Sequence, residues 1–138
     1  MSLSAPSYEQ LWFLAFVLTQ TVETPLYTWA LGRLGRWPRW LAGGRGRAAG
    51  PLPLAARVGL GFLASLLTHP VVWFVWPRLI APDLHYSQFV IAAECFAVLT
   101  EAALLGLCGL RWALPVSLAT NMASVGVGLL SRALFGLP

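Results

Sequence analysis

The sequence predicts an all-α integral membrane protein whose four transmembrane helices form a compact bundle. Composition is the first observation behind this prediction. Hydrophobic residues make up 58% of the chain and charged residues 10%, whereas a soluble domain has about 45–50% apolar and about 25% charged residues. Second, the apolar residues fall in blocks long enough to cross a hydrocarbon core of about 30 Å. The chain of 138 residues is expected to form one transmembrane domain, residues 1–138.

Four spans are predicted, over about residues 11–31, 58–75, 89–110 and 112–134. The first is not typical of a signal peptide, because no basic residue precedes it and Glu23 lies within it. Indole rings prefer the depth of the lipid headgroups. All the tryptophans lie close to predicted span ends: Trp12, Trp29, Trp37, Trp40, Trp73, Trp76 and Trp112.

The arginines predict the orientation of the bundle. The net charge is +4, and every basic side chain other than histidine is an arginine. Most of them lie in one loop, residues 33–57: Arg33, Arg36, Arg39, Arg45, Arg47 and Arg57. Cytoplasmic loops carry such an excess of positive charge, so this loop is expected in the cytoplasm and both termini on the opposite side. The use of arginine without lysine favours a bacterial cytoplasmic (inner) membrane. No nucleic-acid-binding motif accompanies the charge.

A weak internal repeat relates the two halves of the chain. A shift of 55 residues aligns residues 60–75 with 115–130, and a shift of 78 residues aligns Glu23 with Glu101. Two copies of a helical hairpin in the same orientation are related by an axis along the membrane normal. The match has two explanations, a bundle of two repeated helical hairpins or the shared composition of apolar helices.

Three of the acidic residues, Glu23, Glu94 and Glu101, lie inside predicted spans. A charge at the centre of a membrane helix costs about 2.5–3.5 kcal/mol on insertion scales, so pairing, protonation or contact with water is expected to offset it. At a rise of about 1.5 Å per residue, Glu23, Glu101, His69 and Asn121 come out at similar depth. All four helices therefore place a polar group in one layer.

Helical periodicity places these residues on the interior faces of the helices. In each span, polar and small residues recur at intervals of three or four residues, which lets membrane helices pack closely and hydrogen-bond. Pro25 and Pro70 lie beside two of the ionisable residues and are expected to kink their helices. The predicted polar cluster, a candidate ion or proton site, comprises Glu23, His69, Glu94, Glu101, Asn121 and Ser124.

Three functions fit this pattern. The favoured one is translocation of protons, cations or a small solute by an oligomer, because intramembrane ionisable groups are functional candidates by default. The alternative is a non-catalytic accessory or assembly subunit of a larger membrane complex, in which the cluster fixes helix packing. The third is a metal- or lipid-dependent intramembrane enzyme, although the sequence contains no catalytic, cofactor-binding or metal-binding motif. The lipid bilayer is the partner common to all three.

Residues 63–75, 91–105 and 118–130 resemble the corresponding stretches of small bacterial four-span membrane proteins. The resemblance covers about half of the chain and implies the topology alone. It brings no activity with it and assigns no role to any residue.

Overall fold

The computed structural model describes residues 6–36, 38, 50–79 and 85–136, and this part of the chain is almost entirely helical. The four long helices are α1 (Tyr8–Leu34), α2 (Leu54–Leu79), α3 (Tyr86–Leu107) and α4 (Ala113–Phe135). Of the predicted loop 33–57, Arg39, Arg45 and Arg47 lie outside the described residues, and so do Trp37 and Trp40.

Capping side chains satisfy backbone groups at the N-terminal ends of α1 and α3. Ser7 precedes α1, where its hydroxyl accepts the Gln10 N–H at 3.3 Å while the Gln10 side chain accepts the Ser7 N–H at 2.8 Å. This reciprocal arrangement satisfies two backbone donors that the first turn leaves free. At the start of α3, the Gln88 side chain accepts the His85 N–H at 3.0 Å in the same way.

Helix α2 is longer than the predicted span, which covered residues 58–75. It begins at Leu54, directly after Pro53, and it continues through Pro70 to Leu79. The chain accommodates Pro70 through a π-helical turn, Val71–Val75, after which α-helical geometry resumes. A wider turn relieves the loss of the proline N–H without ending the helix.

The four helices form a ring in chain order. Extensive contacts join α1 to α2, α2 to α3, α3 to α4 and α4 to α1. The turn between α3 and α4 is wider than the predicted break at Arg111 alone, because α3 ends at Leu107 and α4 begins at Ala113. Each of the hairpins α1–α2 and α3–α4 is therefore a packed pair, and their origin as repeats stays a prediction.

One end of the ring is tied by backbone hydrogen bonds. Gly35, after α1, forms an antiparallel bridge with Leu110 of the α3–α4 turn. The Arg36 N–H donates to the Gly109 carbonyl at 3.0 Å, and the Arg111 N–H donates to the Leu34 carbonyl at 3.3 Å. Gly109 allows this approach because its φ of +95° lies in a region that favours glycine.

The half of the bundle next to this bridge is filled by side chains, and we call it the closed half. Its buried apolar residues are Tyr27, Ala30, Leu31, Leu52, Ala64, Leu105 and Leu110. Large apolar residues elsewhere point outward, and Trp29, Ile91 and Leu129 are each more than 60% exposed. Such an apolar exterior suits lipid better than water.

Three of the four helices, α2, α3 and α4, are long and apolar enough to cross a membrane. Helix α1 is the longest of the four, with 27 residues, and it is not among these three. Its central polar residues, which include Gln20 and Glu23, lower its mean hydropathy. The fold therefore supports a membrane-embedded helical bundle, with three spans evident from the composition of the helices.

Candidate functional site

A cavity of about 180 Å³ lies among the four helices, on the side of the closed half away from the Gly35–Leu110 bridge. We call it the polar cavity, and the half that contains it the open half. The lining includes every member of the predicted polar cluster: Glu23, His69, Glu94, Glu101, Asn121 and Ser124. The volume is several times the ~30 Å³ that a water molecule occupies in the liquid. The structure thus brings together residues from four separate helices.

Glu101 is the centre of the hydrogen-bond network at the floor of the polar cavity. It is 1% exposed and receives three hydrogen bonds. Tyr27 donates to Oε2 at 2.5 Å, Asn121 donates to Oε2 at 2.8 Å, and Thr68 donates to Oε1 at 2.7 Å. Because Tyr27, Thr68, Glu101 and Asn121 come from four different helices, one carboxylate links the whole ring. Such a donor set can satisfy a buried carboxylate through hydrogen bonds alone.

Tyr27 separates the polar cavity from the closed half. Its side chain is fully buried and belongs to the apolar core, while its hydroxyl bonds Glu101. The hydroxyl also accepts from the Asn121 amide at 3.2 Å. It lies 3.2 Å from the hydroxyl of Ser117, which donates to the Val98 carbonyl at 3.0 Å. The ring of Tyr27 therefore closes the core, and its oxygen forms part of the floor network.

Glu23 is the second buried carboxylate, with 3% of its surface exposed. The Ser65 hydroxyl of α2 donates to its Oε2 at 2.5 Å. Glu23 and Glu101 both line the polar cavity, so two acidic side chains share one small volume. Like charges at close range disfavour each other, and a bound cation or proton relieves that repulsion.

His69 lies in the cavity wall but outside the hydrogen-bond network. The sequence predicts His69 as a member of the polar cluster, and the structure places it beside the carboxyl groups without a hydrogen bond to them. His69 packs among aromatic rings, with its centroid 5.9 Å from the nearly parallel ring of Trp73 and 5.4 Å from the edge-on ring of Phe16. Its buried Nδ1 atom has no hydrogen-bond partner among the described residues.

Glu94 and Ser124 lie nearer the outer rim of the polar cavity than Glu101 does. Glu94 is half-buried, two helical turns before Glu101 on the same face of α3. Ser124 is 9% exposed, and its hydroxyl lies 3.5 Å from that of Thr19 on α1. These residues make the wall polar from the floor to the rim.

Four contributors to the site were not singled out as site residues from the sequence: Tyr27, Ser65, Thr68 and Ser117. All four lie on the interior helix faces that periodicity predicts, so the signal was present. What the sequence lacked was the rotation and vertical offset of neighbouring helices. Those decide that Thr68 reaches Glu101 while His69, one residue later, does not.

Among the described residues that line the polar cavity, three carry carboxyl groups and none is an arginine. The arginines of the described residues lie near the helix ends instead: Arg33, Arg36, Arg57 and Arg111 at the closed end, Arg78 and Arg132 at the other. Within the described ranges, no group of three His, Cys, Asp or Glu side chains is placed to hold a metal ion. No known protein family, curated protein or solved structure matches the chain.

Proposed function

We propose that this protein is a small multi-pass membrane protein that translocates protons or small cations through the polar cavity. The observation that carries the proposal is the set of three carboxyl groups in the lining of that cavity. Glu23, Glu94 and Glu101 line it, and none of the described residues in that lining is an arginine. Carboxylates in a low-dielectric site attract protons and cations strongly. Carboxylates in such a site repel anions.

The proposal includes α1 as a fourth span. Its 27 residues extend about 40 Å at 1.5 Å per residue, more than the ~30 Å hydrocarbon core. Two polar side chains in its middle contact α2: the buried Glu23 accepts a hydrogen bond from Ser65, and Gln20 donates to the Phe62 carbonyl at 3.3 Å. Burial against neighbouring helices offsets the cost that these residues add to insertion.

The proposal also places the protein in a bacterial cytoplasmic membrane with the closed end in the cytoplasm. Four of the described arginines lie at that end, Arg33, Arg36, Arg57 and Arg111, as the positive-inside rule requires. Both termini and the polar cavity then face the non-cytoplasmic side. In this orientation the structure represents an outward-open state, with Tyr27 and the apolar core blocking the way inward.

Translocation from this state requires the closed half to open or to relay a proton. A bundle of four helices has little room for a continuous pathway, so we propose a homo-oligomer in which a neighbouring copy supports the moving helices. An accessory subunit of a larger membrane complex is the competing role. It predicts that the same side chains affect assembly and carry no flux.

The direct test is a flux assay with the purified protein in liposomes containing a pH-sensitive dye, under an imposed potassium diffusion potential. The dye reports the flux of protons. The fluxes of sodium, potassium and tetramethylammonium are measured in separate assays. We expect the native chain to carry flux and Glu101→Gln to reduce it at least tenfold. Glu9→Gln is the matched control, because Glu9 is exposed at the start of α1, away from the polar cavity.

Two results would contradict translocation. One is the absence of flux for every ion tested, although the protein is folded and inserted. The other is an equal flux for the native chain and Glu101→Gln. Native mass spectrometry of gently extracted protein adds a separate criterion, since a fixed stoichiometry with larger unrelated subunits would favour the accessory role over a homo-oligomer.

A further inference from the structure

A second cavity of about 280 Å³ adjoins the polar cavity on the side away from the closed half. We call it the outer chamber. It shares three lining residues with the polar cavity, Val72, Trp73 and Glu94. The two volumes therefore meet at one stretch of α2 and one residue of α3.

The outer chamber has a different chemistry from the polar cavity. Aromatic and apolar side chains dominate its lining, among them Tyr8, Tyr86 and Phe89. Among the described residues that line it, the one carboxylate is that of Glu94, at the boundary with the polar cavity. Tyr8 is anchored there, because its hydroxyl donates to the Trp73 carbonyl at 2.6 Å and its ring packs 5.5 Å from that of Trp73.

We infer that the polar cavity and the outer chamber form one bipartite site for a lipophilic organic cation. The ammonium group lies among Glu23, Glu94 and Glu101, and the aromatic or alkyl body of the same molecule fills the outer chamber. This inference rests on the proposed function and names the substrate class for the same cavity.

Three features together support an organic cation over a bare inorganic one. Apolar side chains such as Leu18, Val72 and Val125 share the wall of the polar cavity with the carboxylates, and a strongly hydrated ion gains little from them. The face of an indole such as Trp73 attracts ammonium groups. The outer chamber adds apolar contact area that only a ligand with a hydrophobic body can use.

The test compares two ligands with the same charged group in the same purified protein. Benzyltrimethylammonium carries an aromatic body, and tetramethylammonium is the charged group alone. Equilibrium binding of each is measured in detergent or nanodiscs. We expect benzyltrimethylammonium to bind at least tenfold more tightly, and Glu94→Gln to weaken both ligands.

Phe89→Ala provides the decisive variant, since Phe89 lines the outer chamber and not the polar cavity. It should reduce the preference for the benzyl compound about fivefold or more and leave tetramethylammonium binding nearly unchanged. The control is Phe13→Ala, because Phe13 is 56% exposed and lines neither volume. The ratio of the two affinities within one variant is independent of the fraction of protein that is folded.

Equal affinity for the two ligands in the native protein would overturn the bipartite site. So would a preference that Phe89→Ala leaves intact, because the body would then bind elsewhere. Either result, combined with proton or tetramethylammonium flux that depends on Glu101, refutes the organic-cation inference and leaves translocation standing. Selective binding of benzyltrimethylammonium without flux of any cation supports the bipartite binding site and contradicts translocation.

Discussion

The two halves of this bundle are built from the same four helices and differ in what lies between them. In the closed half, Leu31 and Leu105 are fully buried, and backbone hydrogen bonds join the C-terminal end of α1 to the α3–α4 turn. In the open half, the helices enclose the polar cavity with its carboxyl groups. Close packing therefore stabilises one half and leaves room for a site in the other, with Tyr27 and Glu101 at the boundary.

Truncation of leucines on α1 should show the largest difference between the halves in the free energy of unfolding. Leu31→Ala removes a side chain that is 0% exposed and should lower the free energy of unfolding by about 2–5 kcal/mol, since the surrounding core cannot fully collapse. Leu18→Ala on the same helix should cost no more than about half as much, because Leu18 already borders empty volume. Denaturant titration in micelles measures both. Equal losses would mean that the open half is as tightly packed as the closed half.

Tyr27→Phe tests the boundary itself. The ring stays and the hydroxyl is lost, which removes one of the three donors to Glu101. Leaving a buried acceptor short of a partner should lower the free energy of unfolding by about 1–3 kcal/mol. Tyr86→Phe is the control, because Tyr86 is 73% exposed and should change stability by less than about 0.5 kcal/mol. If the two variants are equally stable, the floor network contributes nothing to the fold.

Two glycines test the tied end against the free helix surface. Gly109→Ala should cost about 1–2 kcal/mol, because φ is +95° and a side chain there is strained. The added Cβ would also meet the Arg36 carbonyl. Gly126→Ala should be neutral or stabilising by up to about 1 kcal/mol, since a Cβ meets nothing within 4 Å in mid-helix. Thermal unfolding of both variants measures the contrast, and a harmless Gly109→Ala would show that the bridge is dispensable.

Single cysteine substitutions should disturb the structure least, and their reaction with a thiol reagent distinguishes positions that contact water from positions that do not. In a Cys95→Ala, Cys108→Ala background, Ser124→Cys should react with a charged membrane-impermeant thiol reagent added from the non-cytoplasmic side. Ser117→Cys should react at least tenfold more slowly, because Ser117 is fully buried below the floor network. Reaction of Ser124→Cys only from the cytoplasmic side would invert the proposed orientation.

The helical bundle, with three helices long and apolar enough to cross a membrane, and the residues around the cavity followed from composition and periodicity. Polar residues in an apolar span are costly to expose to lipid, so Glu23, Glu101 and Asn121 were predictable as interior residues. Helix ends were less predictable: the turn Cys108–Trp112 depends on Trp112, which has a positive φ of 59°, and residue type alone does not indicate that.

Pairing within the cavity was beyond the sequence. Prediction of the hydrogen bond from Thr68 to Glu101 requires the relative rotation of α2 and α3, and a difference of one residue exchanges Thr68 for His69. The passage of α2 through Pro70 by a π-helical turn was equally hidden, because a proline that kinks a helix and one that a wider turn absorbs look alike in sequence. The outer chamber depends on how Tyr8 folds against Trp73, a contact between distant parts of the chain.

The backbone bridge between Gly35 and Leu110 joins the helices at one end of the bundle. A tilt of a helix about that end therefore displaces its free end the most. A helix of about 40 Å that pivots at its joined end moves its free end by about 0.7 Å for each degree of tilt. A tilt of about five degrees, small enough to preserve the contacts near the pivot, then changes the width of the far rim by about 3.5 Å. A tilt of that size would therefore change the rim by about the diameter of a methyl group and leave the joined end almost in place.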